Sequence, residues 1–284
     1  MRLILSRKGF DSSAGGGPSP ILPDGRLVSL PIPAPSSKTY AEVCFAGTPL
    51  SNILAELAPN RDFSSEPCHL DPDLREGSLV RAPGWRPMFG QVGAAQSHLE
   101  RNGVSPRDLF LFFGWFRQTE QTPVGLRFQR GAPDLHVLFG WLQIERVHSK
   151  PEFLQAVPWA CDHPHVDPRV NSDWSKNTVY EAAPELRIGH ESQCRAGGGI
   201  FSAYSDALRL TAPGEKRTVW RLPRWFHPEG RQSVLSCHSN PTRWEAHFRH
   251  TLLRSVARGQ EFVLDIEHYP EAIAWLSELF AEAA

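Results

Sequence analysis

Two apolar runs near the middle of the chain, Leu109–Phe116 and Leu135–Ile144, constrain the fold more than any other stretch. Both are rich in Phe, Leu, Val and Trp. Turn-forming residues bound them: Gly103 and Pro106 before the first, and Pro123, Gly125, Gly131 and Pro133 between the two. Runs of this length between Gly and Pro read as buried strands. Each contains a Gly-Trp pair, Gly114-Trp115 and Gly140-Trp141. A glycine inside a strand marks a bulge or a close approach of backbone or ligand. The pairs therefore predict one of two things. One is an ordinary antiparallel sheet core with large aromatics in it. The other is a slot floored by Trp115 and Trp141 that takes a flat ring, of which a nucleobase is the commonest to bind by stacking.

The rest of the composition suits a soluble globular chain: 284 residues, 40% hydrophobic and 21% charged, with a formal net charge of −1. No global basic field draws such a protein onto nucleic acid, so a polynucleotide contact must be a local patch or a single-nucleotide pocket. The 25 prolines and 22 glycines, set against 16 phenylalanines and 9 tryptophans, predict irregular loops over an aromatic core and argue against a helical bundle. Five scattered cysteines without a CxxC indicate neither a zinc ribbon nor a disulfide framework. The opening MRLILSRKGFD is too short for a signal-peptide core, and no apolar window reaches membrane-spanning length. A cytoplasmic, reducing compartment is the expectation.

Along the chain, Arg2–Leu5 reads as a strand running into a Gly-rich loop that carries Arg7, Lys8, Asp11, Ser12, Ser13 and Gly15–Gly17. A strand leading into such a loop can aim backbone N–H groups at an anion, and Arg7 and Lys8 add charge. Neither GxxxxGK[ST] nor GxGxxG is present, so no motif for a P-loop nucleotide, NAD or flavin is found and the cofactor stays unknown. A flexible surface loop is the alternative. Asp24-Gly25 signals a turn before a returning strand at Arg26–Ile32, and Pro49–Ala58 reads as a helix. In His69-Leu-Asp71-Pro-Asp73, the two carboxylates fall on one side of an extended chain, which suits acid–base work, Mg²⁺ binding or an ordinary Asp-Pro turn. Ala94–Asn102 is helix-compatible and brings Gln96 and His98 toward the rim of the two-strand slot. His163 and His165 form an HxH pair suited to a divalent metal, with no third ligand at a diagnostic spacing, although His98, His136 or His190 can converge in space. Further strands are expected at Thr178–Ala182, Leu208–Thr211, Val219–Leu222 and Glu261–Ile266. Helices are expected at Thr242–Arg258, with Trp244, Phe248 and Leu252 on one face, and at Glu271–Ala283. With no repeat and no clear linker, residues 1–284 read as a single α+β domain. Its core is a mixed, mainly antiparallel sheet or a small barrel, with peripheral helices and many loops.

Several segments match one family in order. They are SRKGFDSSAGGGPSPILPDGRLVSLPIP at the start, LDPDLR (70–75), FGQVGAAQSHL (89–99), DLFLFFGWFR (108–117), HVLFGWLQI (136–144), HPH (163–165), NTVYEA (177–182) and WRLPRWF (220–226). The chain resembles the third nucleotide-modification-associated domain family. That resemblance implies DNA base hypermodification in phage-related and bacterial modification systems, with other proteins of such a system as partners. The centre, about residues 89–150, is also similar to PUA-like domains of the ASCH and EVE type, small barrels whose aromatic pocket accepts a flipped base. Here Arg107 stands where that pattern prefers Gly before Asp108.

An enzyme acting on a nucleotide or an extruded base is the first expectation, with glycosyl or ribosyl transfer or removal as one chemistry. In it Arg7, Lys8, Ser12 and Ser13 hold phosphate. Trp115 and Trp141 hold the ring, with Arg117 and His136 beside them. Gln96, Asn177 or Tyr180 read its polar edge, and His163 and His165 complete the substrate site. Asp11, Asp71, Asp73 and His98 are the candidate catalytic groups. The alternative is a non-catalytic reader of a modified base through a PUA-like pocket, and a third is a structural partner in a modification complex.

Overall fold

Leu109–Phe116 and Leu135–Ile144 are the cores of two long antiparallel strands. Alternate Phe and Leu side chains of the pair are buried on both faces, so neither strand shows a solvent side. The computed structural model describes residues 1–150, 157–171, 173–257, 259–267 and 269–282. In chain order its strands are β1 (Arg2–Arg7), β2 (Ser19–Ile21), β3 (Cys44–Phe45), β4 (Thr48–Pro49), β5 (Met88–Val92), β6 (Leu109–Thr122), β7 (Gly125–Phe128) and β8 (Leu135–His148). They continue as β9 (Asn177–Ala182), β10 (Arg187–Ile188), β11 (Glu191–Ser192), β12 (Gly198–Ile200), β13 (Val219–Pro223), β14 (Trp244–Ala246), β15 (His250–Arg254) and β16 (Glu261–Asp265). The helices are α1 (Leu50–Leu57), α2 (Gly93–Arg101) and α3 (Pro270–Glu282).

Among the described residues the main sheet has nine strands in the order β16-β1-β6-β8-β9-β5, with β2 and β7 paired to β6 and β12 paired to β8. All of its pairs are antiparallel except β1–β6 and β2–β6. A bulge between Phe112 and Phe113 and another between Ile144 and Arg146 increase the local twist. The sheet curls far enough that its two end strands come within side-chain reach: Gln91 Nε2 on β5 donates to Glu261 Oε1 on β16 at 2.6 Å. No backbone ladder joins β5 to β16 among the described residues, so the fold is α+β with an open curled sheet and not a closed barrel. Phe89, Phe110, Phe112 and Tyr180 pack against one another with ring centroids 5.0–5.8 Å apart. These rings fill the interior of the curled sheet at this level. Arg107 carries φ 75°, in the left-handed region that favours glycine, and its N–H donates to Ile144 O.

Most of the elements expected from sequence form, among them β1, α1, α2, β9, β13, β16 and α3. Thr242–Arg258 does not become a helix. It is the hairpin β14–β15, with Trp244 opposite Leu253 and Ala246 opposite Thr251. Arg26–Ile32 runs back along β2 without a continuous ladder: it forms the isolated bridges Ile21 to Leu27 and Ile32 to His69, the Val28 N–H donates to Pro20 O, and the Leu30 N–H donates to Ser19 Oγ, which interrupts the ladder. Arg258 and Ala283, at the ends of two expected helices, lie outside the described residues.

Candidate functional site

β1 lies between β16 and β6, and its last residue leads directly into the Gly-rich loop. Lys8, just past the strand, is held where it emerges: its N–H donates to Phe113 O, its Nζ meets Glu261 Oε1 at 2.9 Å, and it sits 4.4 Å over the Phe89 ring. Arg7 extends an Nη2 to the carbonyls of Ala257 and Gly259. Opposite, the isolated bridge between Ile32 and His69 and the bridge between Asp73 and Met88 carry the 69–73 segment past the edge of β5. Asp71 Oδ1 accepts from the Gly90 N–H at 2.7 Å there. Gly90 has to be glycine at that point, because a Cβ would lie 2.1 Å from His165 Cγ.

Four side chains meet as a result. His69 Nε2 and His165 Nε2 are 3.4 Å apart, Asp71 Oδ2 is 3.7 Å from His165 Nε2, and His163 Nε2 is 3.3 Å from Asp71 Oδ1. His69, Asp71 and His165 offer ligand atoms all within 4.8 Å of one another. Outer contacts fix the rings. His69 Nδ1 lies 2.8 Å from Pro35 O, and His165 Nδ1 lies 2.9 Å from Asn177 Oδ1. Asn177 Nδ2 donates back to His165 O, which orients its amide. His163 Nδ1 accepts from the His165 N–H, while its buried Nε2 has no hydrogen-bond partner.

Burial sets the charge states. It pushes the His165 imidazolium down to about 4, against the opposing pull of Asp71, and His163 and His69 lower it further. Burial also depresses His69. For Asp71 burial favours the neutral acid, but the close approach of His163, the charge of His165 and Lys8 outweigh it and hold the carboxyl well below the usual range. A charged carboxylate thus sits beside the neutral His69 and His165 imidazoles at neutral pH. The cluster forms one wall of a cleft of about 320 Å³ whose other walls include Arg7, Lys8, Asp11, Ser13 and Gln91.

The family model for nucleotide modification associated domain 3 matches residues 2–265. The chain belongs to that family. No curated protein and no solved structure matches it.

Of the residues singled out by sequence, the cleft gathers Arg7, Lys8, Asp11, Ser13, Asp71 and His165, with His163 and Asn177 directly behind. Ser12 is exposed beside them. The anion-catching loop is not built as expected: Asp11 Oδ1 takes the N–H groups of Ser13 and Ala14, and Asp11 O takes that of Gly16. Gly15–Gly17 are not among the residues lining the cleft. The indole slot is absent as well. Trp141 packs on Phe201 and on Phe280 of α3 and donates to Ala196 O, while Trp115 donates to Asp134 and carries Arg217 over its face at 4.0 Å. The space beside each of the two strand glycines is taken by the protein itself, with Leu74 Cδ1 closest at Gly140. A Cβ at Gly114 would lie 2.8 Å from Lys8 O, and one at Gly140 would lie 2.8 Å from Gly199 O.

The other candidates stand apart from the cleft. Asp73 pairs with Arg81 through two hydrogen bonds. His98 meets Ser236 Oγ at 2.9 Å. Gln96 accepts from Tyr180 OH. Arg117 pairs with Asp134. His136 is buried, accepting at Nδ1 from Trp220 Nε1. Sequence reading missed His69, Gln91 and Glu261 as site residues. His69 had a signal in the text, two residues before Asp71. Gln91 and Glu261 had none, because only the curl of the sheet joins them.

Proposed function

We propose that the protein is a nucleotide- or nucleobase-modifying enzyme whose chemistry takes place in the cleft between the β1 loop and the His69–Asp71–His163–His165 cluster. The convergence of an ionised, buried Asp71 carboxylate with the His69 and His165 imidazoles on one cleft lined by Arg7 and Lys8 supports it. Membership of a nucleotide-modification-associated family supports a nucleotide or nucleobase as the substrate class. At about 320 Å³ the cleft is in the range that takes a small ligand, such as a base with its sugar. Asp71 is the charged group best placed to stabilise a developing cation or orient an imidazole. His163, with one nitrogen accepting a backbone N–H and the other unpartnered toward Asp71, is the proton carrier. Asn177 fixes the tautomer and tilt of His165. A reader of modified bases needs an open aromatic platform, and the cleft is lined by none of the aromatic rings Phe89, Phe110, Phe112 and Tyr180, which pack against one another, so catalysis is favoured.

The test compares nucleosides from DNA and from the free nucleotide pool of cells expressing wild-type protein or Asp71→Asn, by mass spectrometry. Asn keeps an acceptor for the Gly90 N–H but not the charge. A new or lost nucleoside mass with wild type, reduced at least ~100-fold with Asp71→Asn, is expected for an acid–base group. Conversion that is undiminished in Asp71→Asn removes the carboxylate from the chemistry. Identical profiles with and without the wild-type protein remove the enzyme reading.

A further inference from the structure

His69 and His165 present a hydrogen-bonding conflict. Pro35 O is only an acceptor, so the 2.8 Å contact requires the proton of His69 on Nδ1. Asn177, its amide fixed by donation to His165 O, turns Oδ1 to His165 and likewise requires the proton on Nδ1. Each neutral ring is then left with a bare lone pair on Nε2. These two lone pairs face each other at 3.4 Å, with the Asp71 carboxylate 3.7 Å from one of them. Three acceptors converge and no donor lies between them.

We propose that His69 Nε2, Asp71 Oδ2 and His165 Nε2 bind a first-row divalent transition-metal ion, Zn²⁺ or Fe²⁺ in class, with its remaining coordination open to the cleft. Two imidazole nitrogens at about 2.05 Å from a metal in tetrahedral geometry are about 3.3–3.4 Å apart, and the observed separation is 3.4 Å. Two nitrogens and one carboxylate oxygen favour zinc or iron over magnesium or calcium, which prefer all-oxygen shells. The surroundings are those of a ligand set. Both histidines hand their second N–H to an oxygen, the arrangement that orients metal-binding imidazoles. Gly90 supplies the missing side chain that lets His165 close on the site. His163, nine-tenths or more buried, turns Nε2 to Asp71 Oδ1 at 3.3 Å and stands behind the ligand set. A metal also resolves the charge of the cleft. The cations Arg7 and Lys8 are already engaged by carbonyls and by Glu261, and Asp11 and Asp71 add negative charge, so a divalent ion gives an anionic substrate something to bind. The ion deepens the reading of the cleft as an active site; its binding is measured without any nucleotide, so failure of one reading leaves the other standing.

Tag-free full-length protein, stripped with a chelator, is titrated with Zn²⁺ by calorimetry and with Co²⁺ by visible absorption. One equivalent of Zn²⁺ with a Kd of about 1 µM or lower is expected, together with the intense d–d bands of Co²⁺ in a tetrahedral site. His69→Ala and His165→Ala each weaken binding at least ~100-fold, and Asn177→Ala, outside the ligand set, weakens it about 10–100-fold. His247 and His250, whose rings stack with centroids 4.5 Å apart, are the competing surface pair, and their double alanine variant leaves the affinity unchanged. Wild-type protein that takes up neither ion overturns the proposal whether or not the variants fold. So does binding that is lost with the His247/His250 pair and kept without His69 and His165.

Discussion

Asp71 and Asp73 show how little a shared spacing says about a residue's role. They are two positions apart, and both are buried to within a few per cent of their side-chain surface. Asp71 faces the imidazoles, while Asp73 turns to Arg81, itself only 6% exposed, and neutralises it through two parallel hydrogen bonds. Removing one partner of a buried pair leaves the other charge without compensation, at about 3–5 kcal/mol. Asp73→Asn is therefore expected to lower unfolding free energy by that amount in a urea titration. Asp71→Asn, which keeps an acceptor for the Gly90 N–H, changes it by much less and loses the nucleoside conversion instead. Equal destabilisation by the two would mean that both carboxylates are structural. Gly90→Ala tests the same corner from the backbone side. Its Cβ overlaps the His165 ring, so the ring or β5 has to move. A loss of about 1–3 kcal/mol is expected, with metal uptake weakened in the same variant.

At the level of elements, hydrophobic period was a sound guide where one face of a segment is buried, and it failed where a short hairpin imitates it. Trp244, Phe248 and Leu252 recur every four residues as a helix face would, yet Trp244 is buried in β14, Phe248 is 92% exposed between β14 and β15, and Leu252 pairs across to Glu245. The signal against a helix was present in Trp244 and Thr251, aromatic and β-branched residues that suit a pleated surface. In stability measurements Trp244→Ala is expected to cost about 3–5 kcal/mol, since it empties a buried site and orphans His238 O, to which its indole donates. Phe248→Ser is expected to stay within about 0.5 kcal/mol of wild type. Similar losses from both would restore the helical reading. The Gly-Trp pairs misled for a related reason. A strand glycine announces a close neighbour, but sequence does not say whether backbone or ligand is the neighbour, and here Lys8 O and Gly199 O are.

For the molecule as a whole, the local pieces of the site were legible and their meeting was not. Residues 7–13, 69–71 and 163–165 each stood out as a polar motif, but only the strand order β16-β1-β6-β8-β9-β5 and its curl bring them to one cleft. The same close packing buries imidazoles that take no part in that cleft, and this gives the protein a definite response to acid. Burial, with smaller contributions from Arg217 and Arg7, pushes His136 down to about 3, and burial with Arg243 pushes His238 down to about 4, where Ser236 O partly opposes it. Unfolded histidine takes up its proton near pH 6.5. Below that pH the unfolded chain binds protons that the native state refuses, so native stability is complete above about pH 6.5 and declines as pH falls toward the folded values. Each such group contributes a slope approaching about 1.4 kcal/mol per pH unit. His136→Asn removes one of them while leaving an oxygen to accept from Trp220 Nε1, the contact that His136 Nδ1 makes at 2.9 Å. Between pH 6.5 and 5, above the range in which most carboxylates titrate, the urea-derived stability of His136→Asn should fall less steeply than that of wild type, by up to about 1.4 kcal/mol per pH unit. Its stability at pH 7.5 should be somewhat lower, because Asn does not fill the space of the imidazole against Phe113 and Trp220. Parallel pH profiles for the two proteins would show that His136 takes up its proton in the native state as readily as in the unfolded one.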